Sequence, residues 1–465
     1  MLCSHRWTGG APAVRAACRS LHSAPICRCR AEPQQKDTKD SERGGLRALL
    51  RERWAEIAQH ERVLAVMAST ALMMSGHGVM TPVLPLLADS LGATAAQLGM
   101  SLSAFAVARL VLNIPLGVLA DQHGRRLLLV AGPLVNAVGM GGSGLAQSVT
   151  ELLAWRVIAG AGNAAYLGGV QMYLNDICTS ENRARVLGAN HASLLFGVSL
   201  GPALGGIVAE HGGLQAPCAV VAFSGLATAV YAYVRLPETL PASKQAAAGG
   251  AAPEEAGAEK RRQRWAMLTD TRLLAAGAAN ASTFALRQGG RNVLVVLLAT
   301  GVHGYSAATL GSLFSAIALV DLLLIYPAAS LADRVEDSRK IVVPALLLQA
   351  GALSAMSCSG SSQPLFLGTL AVWALGAAAL GPAIPAYANG VIPPAQRGLG
   401  IALFRSAGDI GFVGAPILVG ALVDLTSVEM GLRGLGLMVT ASACTYALGA
   451  TPPGVAATER RSKEE

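Results

Sequence analysis

Apolar runs of about twenty residues recur along this chain, the length an α-helix needs to cross the hydrocarbon core of a bilayer. They follow one another from residue 62 to residue 452, with short polar links between them. In lipid every backbone N–H and C=O must be satisfied within the chain, which leaves only helices or closed barrels. These runs are too long and too continuous for barrel strands. We read twelve spans, and hence an all-α membrane protein. Only 14% of the 465 residues are charged and 52% are hydrophobic, whereas a soluble domain is about a quarter charged. The 53 glycines suit close helix–helix contact in lipid.

The polar remainder divides the chain. Residues 1–35 contain Arg6, Arg15, Arg19, Arg28 and Arg30, and no acid before Glu32. This is the composition of an organelle transit peptide, without the apolar core of a secretory signal. A plastid ranks ahead of a mitochondrion, and a disordered cytosolic tail is the alternative. A polar segment (36–61) leads into six spans (62–236). A linker (237–271), rich in Ala, Gly and charge, precedes six more (272–452) and a tail (453–465). Half of the eight cysteines lie in the first 30 residues, and none has zinc or disulfide-framework spacing. We expect no metal and no cofactor.

The net charge is +8. Its basic residues crowd the loops after even-numbered spans, including Arg125, Arg126, Arg183, Arg334 and Arg397. That asymmetry puts both termini and the linker on the cytoplasmic or stromal side. It accounts for the charge without nucleic acid. A plastid envelope is the expected location, with the mitochondrial inner membrane or plasma membrane as alternatives.

The halves repeat. Pro115–Asp121 and Pro327–Asp333 both read P-x-x-x-L-A-D, and Arg183 precedes Pro202 by the same 19 positions as Arg397 precedes Pro416. A duplicated six-helix unit is a common transporter plan.

Three motifs then carry a resemblance. "GVLADQHGRR" (Gly117 to Arg126) resembles the loop signature of the major facilitator superfamily. "RVIAGAG" (Arg156 to Gly162) is similar to its fourth-span element, and "GVSLGPALGG" (Gly197 to Gly206) to the fifth-span element of its proton-coupled antiporter branch. That branch includes twelve-helix drug exporters. The resemblance covers about residues 62 to 452 and implies two six-helix halves, working as a monomer by alternating access around a midplane site. It also implies a cytoplasmic latch of Gly117, Asp121, Gly124, Arg125 and Arg126, with Asp176 as the partner of Arg125. Arg183, Asp333, Arg334 and Arg397 are the further gate candidates. Plain topology-setting charges are the alternative. Gly197, Gly201, Gly205 and Gly206 read as one close-packing face, and Pro202 as a bend.

Charges at membrane depth need a partner or a wet cavity. Arg109 lies twelve residues before Asp121, so about 18 Å from that helix end. Asp409 lies equally deep counted from Arg397, and the two are expected to pair. Arg405, one turn from Asp409, is a competitor for it. Aligning the repeats puts His77 level with Arg287 and Arg291, and Arg109 level with Asp321. Asp321 is a candidate proton carrier, with a carboxyl bonded to backbone as the alternative. Arg156 is expected nearer the outer mouth. The translocation set is therefore His77, Arg109, Asn113, Arg156, Arg287, Arg291, Asp321, Arg405 and Asp409. Two mid-membrane acids face at least four arginines, which favours an organic anion, moved with protons. The alternatives are a drug or amphiphile exporter and a receptor or scaffold without a transport cycle. No nucleophile elbow, metal cluster or phosphate loop supports an enzyme.

Overall fold

The computed structural model describes residues 38–178, 182–239, 269–335, 337–393 and 397–450; side chains are described from residue 61 onward, except at 114, 183–185, 333 and 397–399. The expected leader and tail, and all but the ends of the expected linker, lie outside these residues. The chain divides into two units, Met1–Ile57 and Ala58–Glu465. The described part of the first is helical. The second holds the bundle.

The helices are α1 (Thr38–Ser90), α2 (Ala95–His123), α3 (Arg125–Leu145), α4 (Val149–Ile177), α5 (Arg183–Gly212) and α6 (Ala216–Arg235). Next comes α7, in three consecutive parts: Thr271–Ala285, a π-helical Leu286–Val295, and Val296–Gly301. The remainder are α8 (Ala307–Arg334), α9 (Arg339–Met356), α10 (Gln363–Val391), α11 (Arg397–Leu425) and α12 (Val428–Gly449). The described residues contain no strand. Nine helices among them are long and apolar enough to cross a bilayer. Polar N-caps start several: Thr94 closes a capping box on α2, and Ser148, Asp270, Ser306 and Ser427 accept from the first turns of α4, α7, α8 and α12. Large apolar side chains such as Val138, Phe223, Leu437 and Leu448 stay exposed. On a membrane bundle that surface faces lipid.

Within the first six helices α3 packs on α4 and α6, and α2 on α4; within the last six α9 packs on α10 and α12. The two sets meet where α2 lies on α11 and α5 on α8. Ser103 Oγ donates to the Val413 carbonyl at 2.6 Å, and the Ala203 N–H to Ser315 Oγ at 2.9 Å. The Asp424 carboxylate, at the end of α11, accepts from the Ala95 and Ala96 N–H groups at 2.8 and 2.9 Å. It caps the positive N-terminus of α2 from the other half of the molecule. These contacts all lie on one side of Arg109 and Asp409. On the other side, toward the Gly117–Arg126 loop, Asn113 of α2 and Arg405 of α11 are exposed. The bundle is thus closed at the Asp424 end and parted at the loop end.

Candidate functional site

His77 stands between two glycines that serve as packing points. A Cβ on Gly76 would meet Ser224 and Val221 of α6; one on Gly78 would meet Val198, Gly201 and Pro202 of α5. With its backbone held on both sides, the imidazole faces a cavity of about 30 Å³ lined by Met80, Thr81, Leu84, Leu102, Phe105, Arg156, Gln288, Asn292 and Phe412. Its ring lies 5.3 Å from that of Phe105, and its buried Nδ1 has no hydrogen-bond partner among the described residues. The cations bearing on it are Arg156, then Arg109, then Arg291. This corrects the expected neighbours: Arg287 is not among them. Arg156 lines this same cavity and does not stand apart at an outer mouth. Its guanidinium lies over Phe105, 4.6 Å from the ring centre, and Nε donates to the Ser101 carbonyl at 3.4 Å.

Arg287 and Arg291 sit in the π-helical part of α7. A π-helix closes i→i+5 bonds, so residues four apart no longer stack as they do on an α-helix. Arg291 reaches Asn292 Oδ1 at 3.3 Å and lies 5.8 Å from the Phe314 ring centre. Arg287 acts electrostatically on His191 of α5, and both arginines act on Asp321 of α8. Asp321 Oδ1 is buried without a hydrogen-bond partner among the described residues. The cations come from α7.

Arg109 Nη2 lies 3.2 Å from Asp409 Oδ1, joining α2 to α11 as the depth count anticipates. The guanidinium also covers Phe412 at 4.8 Å. Arg405 is exposed and makes no ion pair with any described residue, so it does not compete for Asp409. Asn113 is exposed, with no hydrogen bond to a described residue.

At the loop, Gly124 has φ +98°, a conformation that favours glycine, and it lets α3 start directly from the end of α2. Arg125 Nε donates to Asp176 Oδ2 at 2.9 Å, and its NH2 group lies 3.0 Å from Asp121 Oδ1. Arg126 covers the Tyr233 ring. The expected Arg125–Asp176 pair is thus formed, and these contacts tie together helices of the first half. Gly117 faces open space. Of the further gate candidates, Arg334 is exposed, and the side chains of Arg183 in the first half and of Asp333 and Arg397 in the second lie outside the described set. The ion pair at that loop is Arg339 with Asp337, at 2.9 Å. It holds the Asp337 carboxyl below the usual carboxylate range.

Glu238, just past α6, is a participant that sequence reasoning missed. Its carboxylate accepts from the N–H groups of Arg125 and Arg126 at 2.9 and 3.0 Å, capping α3, while Thr239 Oγ1 donates to Asp176. Only the polar "PET" after the sixth span signalled it. Exposed carboxylates at helix N-termini contribute about 0.3–1 kcal/mol. Glu238→Ala should therefore speed amide exchange at residues 125 and 126 by about two- to fivefold, measured by hydrogen exchange and mass spectrometry. Unchanged exchange would remove the cap from this account.

The fifth-span glycines serve two neighbours. A Cβ on Gly197, Gly201 or Gly205 would strike the α1 backbone at Ala71, Ser75 or Val79. Gly206 instead meets Ala307 at the start of α8, so the four do not form one face.

Comparison with known proteins agrees with this architecture. A family model described as "Major Facilitator Superfamily" matches residues 66–287 and 281–464. An uncharacterized MFS-type transporter, MJ1560 of Methanocaldococcus jannaschii, is 28% identical over 176 residues, 38% of this chain and 46% of that one. Quinolone resistance protein NorA of Staphylococcus aureus is 29% identical over 151 residues, 32% of this chain and 39% of that one. These matches span less than half of either relative. A bacterial homolog of the human lysosomal transporter Spinster, solved inward-facing and unoccupied, superposes with TM-score 0.65 at 15% identity over 86% of this chain and 97% of that one. From the matched family model and the helical bundle, the chain belongs to the Major Facilitator Superfamily.

Proposed function

We propose that this transporter moves a small organic anion by alternating access, in exchange or symport with protons. The observation that carries the reading is the charge balance at the middle of the bundle. Arg109 is matched by Asp409. Arg287 and Arg291 share Asp321. Arg156 has no described acid. The centre therefore keeps a cation excess, which a carboxylate or phosphorylated solute relieves and a cationic drug worsens. Asp321, Asp409 and His77 are the proton-coupling candidates; Asp321 Oδ1 and His77 Nδ1 are both buried without a hydrogen-bond partner among the described residues. Rocking of the halves would part the Asp424 end and close the loop end, where Asp121, Arg125 and Asp176 then latch against the second half. The arginine-rich leader supports a plastid envelope, with both termini on the stromal side.

A drug or amphiphile exporter is the second reading, supported by the NorA similarity and the fifth-span element. Against it, no acid lies between Arg62 and Asp89, so the stretch of α1 that carries His77 offers no carboxylate to a cation. Uptake into proteoliposomes separates the two, with protein-free liposomes as the baseline. At least one of lactate and succinate should enter in response to an imposed pH gradient, and tetraphenylphosphonium should not. Arg287→Ala with Arg291→Ala should lower anion uptake at least tenfold, about 1.4 kcal/mol in the effective barrier. Uptake of the cation alone, or anion uptake indifferent to both substitutions, would overturn the reading.

A further inference from the structure

We infer that the His77 cavity is a clamp for a single carboxylate, with Arg156 as the fork that grips it, and that the substrates are monocarboxylates with a small apolar body. The inference rests on the organic-anion reading and narrows it.

Arg156 is only 3% exposed. Its contacts are the Ser101 carbonyl, Met140 Sδ at 3.6 Å and the face of Phe105, with no carboxylate among the described residues. A buried guanidinium without a counter-charge is a costly arrangement for packing alone. The same cavity receives the unpartnered Nδ1 of His77. It also receives Gln288, whose Oε1 is occupied by Asn292 Nδ2 at 2.6 Å, leaving its Nε2 with no described acceptor. A fork, an imidazole and an amide NH2 thus converge on one small space. None has its anion.

Size and charge select the ligand. About 30 Å³ of cavity holds roughly two water-sized centres, matching the two oxygens of a carboxylate head. One fixed cation matches one negative charge. A dicarboxylate or phosphate brings a second, and the remaining arginines have carboxylates of their own in Asp409 and Asp321. Leu84, Leu102 and Phe412 give the rest of the wall an apolar character. The fork comes from α4 and the amide from α7, so a bound carboxylate bridges the two halves that must move together.

The test is thermal stabilisation and calorimetric titration of the purified full chain in detergent. The probes are acetate, lactate and benzoate, with neutral benzamide, dianionic phthalate and inorganic phosphate beside them. At least one monocarboxylate should raise the melting temperature, while benzamide, phthalate and phosphate leave it unchanged. Arg156→Lys keeps the charge and removes the planar fork; Gln288→Leu removes the amide and leaves the Ser101 contact alone. Each should weaken monocarboxylate binding at least tenfold, and the lipid-facing Leu437→Ala should not alter it. Equal binding by phthalate or phosphate overturns the clamp, as does unaltered monocarboxylate binding in both variants; in either case anion recognition still stands. If no monocarboxylate binds and tetraphenylphosphonium does, the clamp and the organic-anion reading fall together.

Discussion

Gly201→Ala should cut transport at least tenfold and lower the melting temperature by several degrees. A Cβ at this position lies 2.5 Å from the Ser75 carbonyl oxygen and 2.6 Å from Gly78 Cα. Both obstacles are backbone of α1, so no side chain can rotate aside. Overpacking by one methyl group costs about 1–3 kcal/mol in a well-packed core, and two rigid contacts argue for the upper part of that range. Pro202 adds a constraint. It has no N–H for the Val198 carbonyl, and that oxygen already sits 2.9 Å from the position of a Cβ on Gly78. Pushing α1 away from α5 therefore shifts Ser75 to Gly78, the segment that aims His77 into its cavity. Gly188 is the internal control: it lies on the same helix and a Cβ there meets nothing within 4 Å. Gly188→Ala should leave transport intact and, by helix propensity, add a little stability. Melting followed by fluorescence, with proteoliposome uptake, reads both variants. Parental behaviour in Gly201→Ala would show that α1 and α5 separate freely there.

The parts legible in the sequence are those governed by spacing along one helix. Apolar run length marked the spans, and the repeated P-x-x-x-L-A-D marked the duplication. Counting residues from two helix ends brought Arg109 and Asp409 to one depth, because an α-helix rises uniformly. The loop motif likewise led to Arg125 and Asp176. Legibility ended where helix geometry changed. The π-helical segment from Leu286 to Val295 alters the register of Arg287 and Arg291, so of the pair that the repeat alignment placed level with His77 only Arg291 acts on it. It ended again where side-chain reach mattered: Arg156 enters the His77 cavity by lying along Phe105. The caps supplied by Glu238 and Asp424 join segments more than a hundred residues apart. Their acceptor and donor partners have no local pattern in common.

Removing either member of the Arg109–Asp409 pair should lower transport at least tenfold, and exchanging the two residues should restore most of it. Breaking a fully buried ion pair costs about 3–5 kcal/mol. Here the side chains are 24% and 28% exposed, so solvent screens the orphaned charge and about 2 kcal/mol is the reasonable scale. The functional effect should exceed the loss of stability, because of where the pair stands. Ser103 to Val413 and Ala95 to Asp424 hold α2 against α11 on one side of it. On the other side Asn113 and Arg405 are exposed. The pair is the last described polar contact between α2 and α11 toward the loop end, so a rocking motion that closes that end must turn about it or break it. Arg109→Ala and Asp409→Ala both weaken that point, and both should reduce turnover more than binding. The exchange, Arg109→Asp with Asp409→Arg, recovers the charges but loses the stacking of Arg109 on Phe412, so recovery should stop short of the parent. A double-mutant cycle on the melting free energies should give a coupling of at least about 1 kcal/mol, within the range of residues in direct contact. Strict additivity, with no recovery in the exchanged protein, would mean the two charges act separately. Asp409 would then be free to serve as a proton carrier independent of α2.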